Sequence, residues 1–271
     1  MLLIQHHPWV LVIALALALA EYVWRRASGL GYDLRAAGTS FGVALVQSLL
    51  RPLNLLATTA ILTWVSRFAP WHLPMNDWRV WVVGFFAVEF AYYWFHRMSH
   101  EIAWMWATHA VHHSATQMVL PAAIRLGWTE FVSLGWLAFV PLVLIGFAPA
   151  MIGILLAVGL IYQYVLHTEA PISFGPLEML LNSPKHHCVH HSSDPQFLDC
   201  NYGGVLILFD RMFGTFRAAA PGQVLQYGLV QPISTTNVFA IGLGPWRQLL
   251  DQLTKAKDWP ARVRIAMGRP V

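Results

Sequence analysis

Five stretches of this chain are long and apolar enough to cross a bilayer, and they constrain its fold more than any other feature. A spanning helix needs roughly 20 mainly apolar residues, and candidates fall at 8–24, within 41–66, and at 80–95, 128–147 and 150–166. Only 11% of the residues are charged, against about 25% in a soluble domain. No linker, charge run or repeat divides the 271 residues, so one domain is expected over 1–271. The expected fold is all-α: an integral-membrane helical bundle with four core transmembrane helices, or five if the first stretch also crosses. Ala18-Leu19-Ala20 resembles a signal-cleavage site, but Arg25 and Arg26 follow the apolar run and no Lys or Arg precedes it, the reverse of a signal peptide.

Two breaks are visible within this pattern. Arg51-Pro52 interrupts the second stretch and predicts a kinked span or an interfacial helix ahead of a span. Gly146-Phe147-Ala148-Pro149 predicts a tight turn joining the fourth and fifth. Orientation follows from Lys and Arg. With the N-terminus outside, the inner segments 25–40, 96–127 and 167–271 hold 3, 2 and 9 of them, and the outer ones only Arg67 and Arg79. Everything after His96 except the 128–166 hairpin is then cytosolic. That parity brings ten of the thirteen histidines, those from His96 to His191, to one membrane face. The Arg-over-Lys and Ala/Leu bias points to a bacterial inner membrane. The net charge of +4 sits at the ends of apolar segments and in the tail, which suits an anionic lipid surface. No basic stripe with interleaved aromatics suggests nucleic acid. The two cysteines, Cys188 and Cys200, argue for a reducing, cytosol-facing site over a disulfide scaffold.

The histidines fall into three spaced clusters: His96 with His100, then His109, His112 and His113, then His187, His190 and His191. Residues four apart share a helix face, so His96 and His100 can reach one site, and each His-x-x-His-His run is expected to present its three rings together. With His167, where the fifth stretch emerges, there are nine imidazoles, enough for two metals with four or five ligands each. Imidazole suits iron, zinc, copper or nickel. Structural zinc needs only four ligands, usually with thiolates, and no carboxylate base of the HExxH kind is present for hydrolysis. His6, His7 and His72 lie at the opposite face and are read as structural.

The runs Glu89 to His100, Trp106 to Ser114, Ser183 to Ser192, Asp199 to Gly203 and Phe209 to Thr215 resemble the fatty acid hydroxylase/sterol desaturase superfamily. The match covers about 85–217, and several independent motifs keep their order. The resemblance implies a membrane core capped by a cytosolic histidine-rich helical di-metal domain. Its cofactor would be two iron ions, with zinc able to take their place in purified protein. It also implies a membrane lipid substrate, O2, and two electrons from a separate donor protein or a small reductant. Its ligand positions fall on His96, His100, His109, His112, His113, His167, His187, His190 and His191. The family often has another histidine where this chain has Gln163, which is then a weak ligand or a water holder. Cys188 stands where many relatives carry Arg, and His186 lies just outside the ligand frame. The stretch Tyr162 to Glu169 resembles the alkylglycerol monooxygenase branch, which cleaves ether lipids with a pterin.

Metal-bound imidazoles usually donate their other N–H to a carboxylate or carbonyl. Glu89, two turns before His96 on the same face, is expected to orient a ligand ring, since a carboxylate in lipid is costly without a partner. Asp199 and Asn201 are expected to do likewise beside the third cluster. The resulting expectation is an oxygenase that hydroxylates a lipid C–H bond, with desaturation at the same site as its alternative. A metal transporter, from a different class, would place its ligands near the bilayer midplane.

Overall fold

The computed structural model describes residues 8–270, which leaves His6 and His7 outside the described residues. Its helices are α1 (Pro8–Ala27), α2 (Leu34–Ser66), α3 (Trp78–Glu101), α4 (Ala103–His113), α5 (Val140–Ile145), α6 (Pro149–Tyr164), α7 (Pro184–His190), α8 (Leu208–Phe213), α9 (Val238–Lys255) and α10 (Trp259–Met267). Among the described residues there is no strand, and the chain is all-α.

Side-chain caps start the main helices. Asp33 accepts from the amides of Arg35 and Ala36 ahead of α2, Asp77 from that of Arg79 ahead of α3, and Asn237 from those of Phe239 and Ala240 ahead of α9. Each satisfies amides that the first turn leaves free. The 33 residues of α2 run unbroken through Arg51-Pro52, so the expected interruption is absent. Pro52 forfeits one bond, to the carbonyl four residues back, and the helix tolerates it. At a rise of about 1.5 Å per residue, α2 is roughly 50 Å long, more than a hydrocarbon core of about 30 Å. Among the described residues it is the one helix that passes on length and hydropathy as a membrane span.

The stretch 128–147 is not the single helix its hydropathy suggests. It holds a turn, a 3-10 segment at Gly135–Phe139 and the six residues of α5. Side chains satisfy its irregular backbone. Asn54 of α2 donates to the Trp128 carbonyl and accepts from the Phe131 amide, both at 3.0 Å, and the Trp104 indole donates to the Val132 carbonyl at 2.9 Å. Leu134 takes a left-handed φ of 64°. Such backbone survives in an apolar setting only where protein buries and satisfies it.

The expected turn at 146–149 is present. Gly146 ends α5 at φ 106°, and a Cβ there would lie 2.6 Å from the Trp71 carbonyl oxygen. That contact belongs to a clasp in which the Trp71 indole donates to the Ile145 carbonyl (2.6 Å) and the Leu73 amide to that of Gly146 (2.9 Å). The 146–149 turn therefore lies beside the α2–α3 connection. His96 and His100 sit at the other end of α3.

Leu62, Val88, Phe139, Val143, Met151 and Ile152 pack into the principal core, which joins α2, α3, α5 and α6. Val43, Val111, Trp128 and Ile241 join α2 and α4 to α9 at the histidine end. The outer face of α2 keeps Leu45, Leu49, Leu53 and Leu56 64–71% exposed. An apolar stripe at helical spacing facing away from the core needs an apolar solvent.

Candidate metal centre

The structure gathers all nine singled-out histidines into two adjoining groups. One holds His96, His100, His109, His113 and His190; the other holds His112, His167, His187 and His191. Within each group the candidate ligand atoms lie within 4.8 Å of one another. The walls touch: His113 stacks on His191 at 4.3 Å between centroids, and His112 meets His191 at 4.6 Å.

Each His-x-x-His-His run is split between the groups, a correction to the expectation that its three rings act together. Helical geometry gives the reason. At about 100° per residue, positions i and i+4 diverge by only about 40°, whereas i+3 lies about 60° to the other side. His109 and His113 thus face the first group and His112 the second. On α7 and its last turn, His187 and His191 face the second and His190 the first.

Backbone carbonyls orient four of the rings. The Nδ1 atoms of His96, His112, His167 and His190 lie 2.7, 3.2, 2.7 and 2.8 Å from the carbonyl oxygens of Tyr202, Arg125, Gln163 and Cys200. A carbonyl can only accept, so Nδ1 carries the proton and Nε2 turns its lone pair inward. Burial pushes all nine imidazoles below their ordinary value, His112 and His190 to about 3 and His167 to about 4. They stay neutral, the form that binds metals.

This donor set fits metal ions. Facing Nε2 atoms approach at 3.0 Å for His96 and His109, 3.2 Å for His113 and His109, 3.1 Å for His167 and His112, and 3.1 Å for His187 and His167. Lone pairs at such separations repel unless a cation or proton lies between them. The Nε2 atoms of His100, His190 and His191 are buried without a hydrogen-bond partner, and a buried orphan costs about 1–3 kcal/mol. Burial pushes the Cys188 thiol up to about 12, and its Sγ lies against the Thr168 carbonyl at 3.4 Å, so it is no thiolate ligand.

Two expectations for the surrounding residues, those for Glu89 and Asn201, need correction. Glu89 touches no imidazole; its Oε2 accepts from the amides of Val205 (2.8 Å) and Leu206 (2.9 Å). Asn201, fully buried with φ 55°, donates to the carbonyls of His186 and Arg217 and accepts from the Arg217 amide, so it fixes backbone and orients no ring. Gln163 accepts from Tyr92 Oη at 2.7 Å and donates to the Gly159 carbonyl at 3.2 Å, and its side chain lines the same cavity as four of the rings. Asp199 does face a ring: its Oδ1 lies 3.7 Å from Nδ1 of His100. His186 stays outside both groups, edge-on to Phe216.

Other supporting residues were not singled out individually in the sequence, although Asp210 lies within the Phe209 to Thr215 run. Asp210, fully buried, accepts from the amides of Tyr202 (2.8 Å) and Gly203 (2.7 Å) and from the Thr215 hydroxyl (2.7 Å). With Glu89 it clamps the loop whose carbonyls orient His96 and His190. Arg125 is buried, donating to Ser114, Ser40 and Ala36 while its own carbonyl takes His112. Glu21 on α1 accepts from the hydroxyl of Thr168, next to His167, and from the Leu120 amide. A charged residue inside an apolar run was the available clue for Glu21 and Arg125.

A cavity of about 350 Å³ opens onto the rings, with His96, His109, His112 and His167 in its wall. Much of the rest is apolar, including Leu62, Phe95, Phe139, Ile152, Leu156 and Leu160.

Residues 81–215 match the fatty acid hydroxylase family model. The chain belongs to the fatty acid hydroxylase family. It falls in the alkylglycerol monooxygenase-like branch. An alkylglycerol monooxygenase of Xenopus tropicalis is 40% identical over 172 residues, 64% of this chain and 37% of that protein. The Homo sapiens alkylglycerol monooxygenase is 40% identical over 178 residues, 66% of this chain and 39% of its own length. An ornithine lipid hydroxylase of Rhizobium tropici is 29% identical over 190 residues, 69% and 53% of the two chains. The matched part of this chain thus spans well under half the length of those alkylglycerol monooxygenases. No solved structure matches the chain.

Proposed function

We propose that this chain is a membrane-bound oxygenase that hydroxylates a lipid C–H bond. The carrying observation is the juxtaposition of two all-imidazole groups with a largely apolar cavity that has four of those rings in its wall. Relatives that are lipid monooxygenases and hydroxylases support the same reading. The nine histidines would hold two iron ions, which supply O2 activation when bound. One oxygen atom enters the C–H bond as hydroxyl. The other leaves as water, using two electrons and two protons from a separate donor.

The chain's own residues would do the rest. The cavity admits an apolar chain and excludes water, and the carbonyl-bound rings keep their geometry without rearrangement. Four helices (α1, α2, α3 and the shorter α6) would cross the bilayer, with 128–147 as an irregular segment among them. The Lys and Arg distribution supports a cytosolic histidine face, and the residue bias favours a bacterial inner membrane. An ether-linked lipid is the favoured substrate class: hydroxylation beside the ether oxygen gives a hemiacetal, which separates into an aldehyde and an alcohol.

The test is oxidation of hexadecylglycerol ether by purified, iron-loaded protein with a reductant under 18O2. One labelled oxygen in the aldehyde, trapped at once by reduction to the alcohol before it exchanges with water, supports an oxygenase. A product that takes its oxygen from water contradicts it.

A further inference from the structure

The cavity is apolar over most of its wall, and besides histidines it has two residues with charged side chains. Arg51 of α2 and Glu130 of the turn after Trp128 both line it. The Glu130 Oε1 accepts from buried Gln47 at 3.0 Å, and Arg51 is its electrostatic counterpart. The two form no ion pair, and Arg51 Nε is buried without a hydrogen-bond partner. Asn54, one turn further along α2, spends both ends of its amide on the Trp128 carbonyl and the Phe131 amide, fixing the turn that carries Glu130. An arginine on a membrane helix is costly and normally marks a functional site. Here Arg51 and the Glu130 carboxylate line one largely apolar cavity, and the guanidinium Nε has no protein partner.

The level of this pair along the cavity is also fixed. Glu130 follows Thr129, whose hydroxyl lies 2.6 Å from that of Thr108, the residue before His109. In the other direction α2 continues eleven residues from Arg51 to Leu62, about 16 Å, to the core shared with Phe139 and Ile152. The charged pair is therefore near the rings, and the cavity continues along α2 past Leu55, Thr58 and Thr59 to Leu62.

Building on the oxygenase reading, we propose that Arg51 and Glu130 bind the polar end of the lipid substrate. The head they fit offers an oxygen acceptor to the guanidinium and a hydroxyl to the carboxylate, and carries no net charge. A carboxylate head would meet Glu130, and an ammonium head would meet Arg51. The chain then runs towards Leu62, and the carbon presented to the metals lies within a few bonds of the head.

Binding of three probes with one chain length tests this: hexadecylglycerol ether, palmitate and hexadecylamine, in detergent, on metal-loaded protein. Wild type is expected to favour the ether by at least about tenfold. Arg51→Gln and Glu130→Gln should each weaken ether binding about ten- to a hundredfold, the range for a hydrogen bond to a charged group. Glu130→Gln should also shift preference towards palmitate, and Arg51→Gln towards hexadecylamine. Metal content and thermal unfolding report folding, and the wild-type preference needs no variant at all. Equal wild-type affinity for the three probes overturns the proposal, as do folded variants unchanged within about twofold. Selective ether binding without oxidation leaves this subsite standing and sinks the oxygenase reading; oxidation indifferent to the head does the reverse.

Discussion

The two histidine groups are built from the same ring and held in different ways. In the five-membered group the orienting carbonyls come from one loop, Cys200 for His190 and Tyr202 for His96, and the Asp199 carboxylate of the same loop faces His100 at 3.7 Å, beyond hydrogen-bond reach. That loop, with Asp199 and Asn201 at left-handed φ, is held from outside by Glu89, Asp210 and Asn201's own amide. In the four-membered group the acceptors come from separate places. Arg125 precedes the 128–134 turn, Gln163 lies one turn back along α6, and α1 reaches in through Glu21 and Thr168. The first group depends on one clamped loop; the second rests on three independent supports.

The largest effect that separates the groups is removal of a ring. His190→Ala should lose the metal of the five-membered group and keep the other, and His112→Ala the reverse. Both should abolish lipid oxidation, as read by metals per chain and product yield. Next is Asp210→Ala, which strips the acceptors from two buried amides. It should weaken metal binding in the five-membered group about ten- to a hundredfold, the usual cost of losing an outer support, and leave the four-membered group within about twofold. Chelator competition with a spectroscopically visible metal would separate the two. Equal weakening of both groups would erase the distinction.

A smaller effect concerns acid, and here the groups should behave alike. Burial pushes all nine rings below their ordinary value of 6.5, His112 and His190 to about 3 and His167 to about 4. The unfolded chain therefore binds protons first as pH falls. Stability of the metal-free protein is full above about pH 6.5 and declines from there towards pH 4, and thermal unfolding across that range checks it. Smallest of all is Asp199→Asn. Its carboxylate is 3.7 Å from the His100 ring and half-exposed, so only a few-fold loss in the five-membered group is expected.

The nine rings were legible because spacing on a helix is a local property: His96 with His100, and each His-x-x-His-His run, announce themselves. The split between groups was also written there, in the angle between i+3 and i+4. The acceptors were hidden, because a backbone carbonyl belongs to every residue and nothing marks that of Tyr202 or Arg125. Glu89 was noticed for the right reason, a carboxylate in an apolar helix, but given the wrong partner. Helix-face reasoning sees His96 seven residues on and cannot see a loop more than a hundred residues away docking its amides at 205 and 206. Hydropathy likewise found 128–147 but reports apolarity, not continuity. The irregular backbone there depends on Asn54 and Trp104, which come from other elements.

The most direct test of the central claim is metal content per chain on protein purified without oxygen, with His112→Ala and His190→Ala alongside. Two ions are expected in the wild type, iron among them, and one in each variant, retained in opposite groups. One ion or none in the wild type, unchanged by either substitution, would mean that these rings are not a two-metal centre.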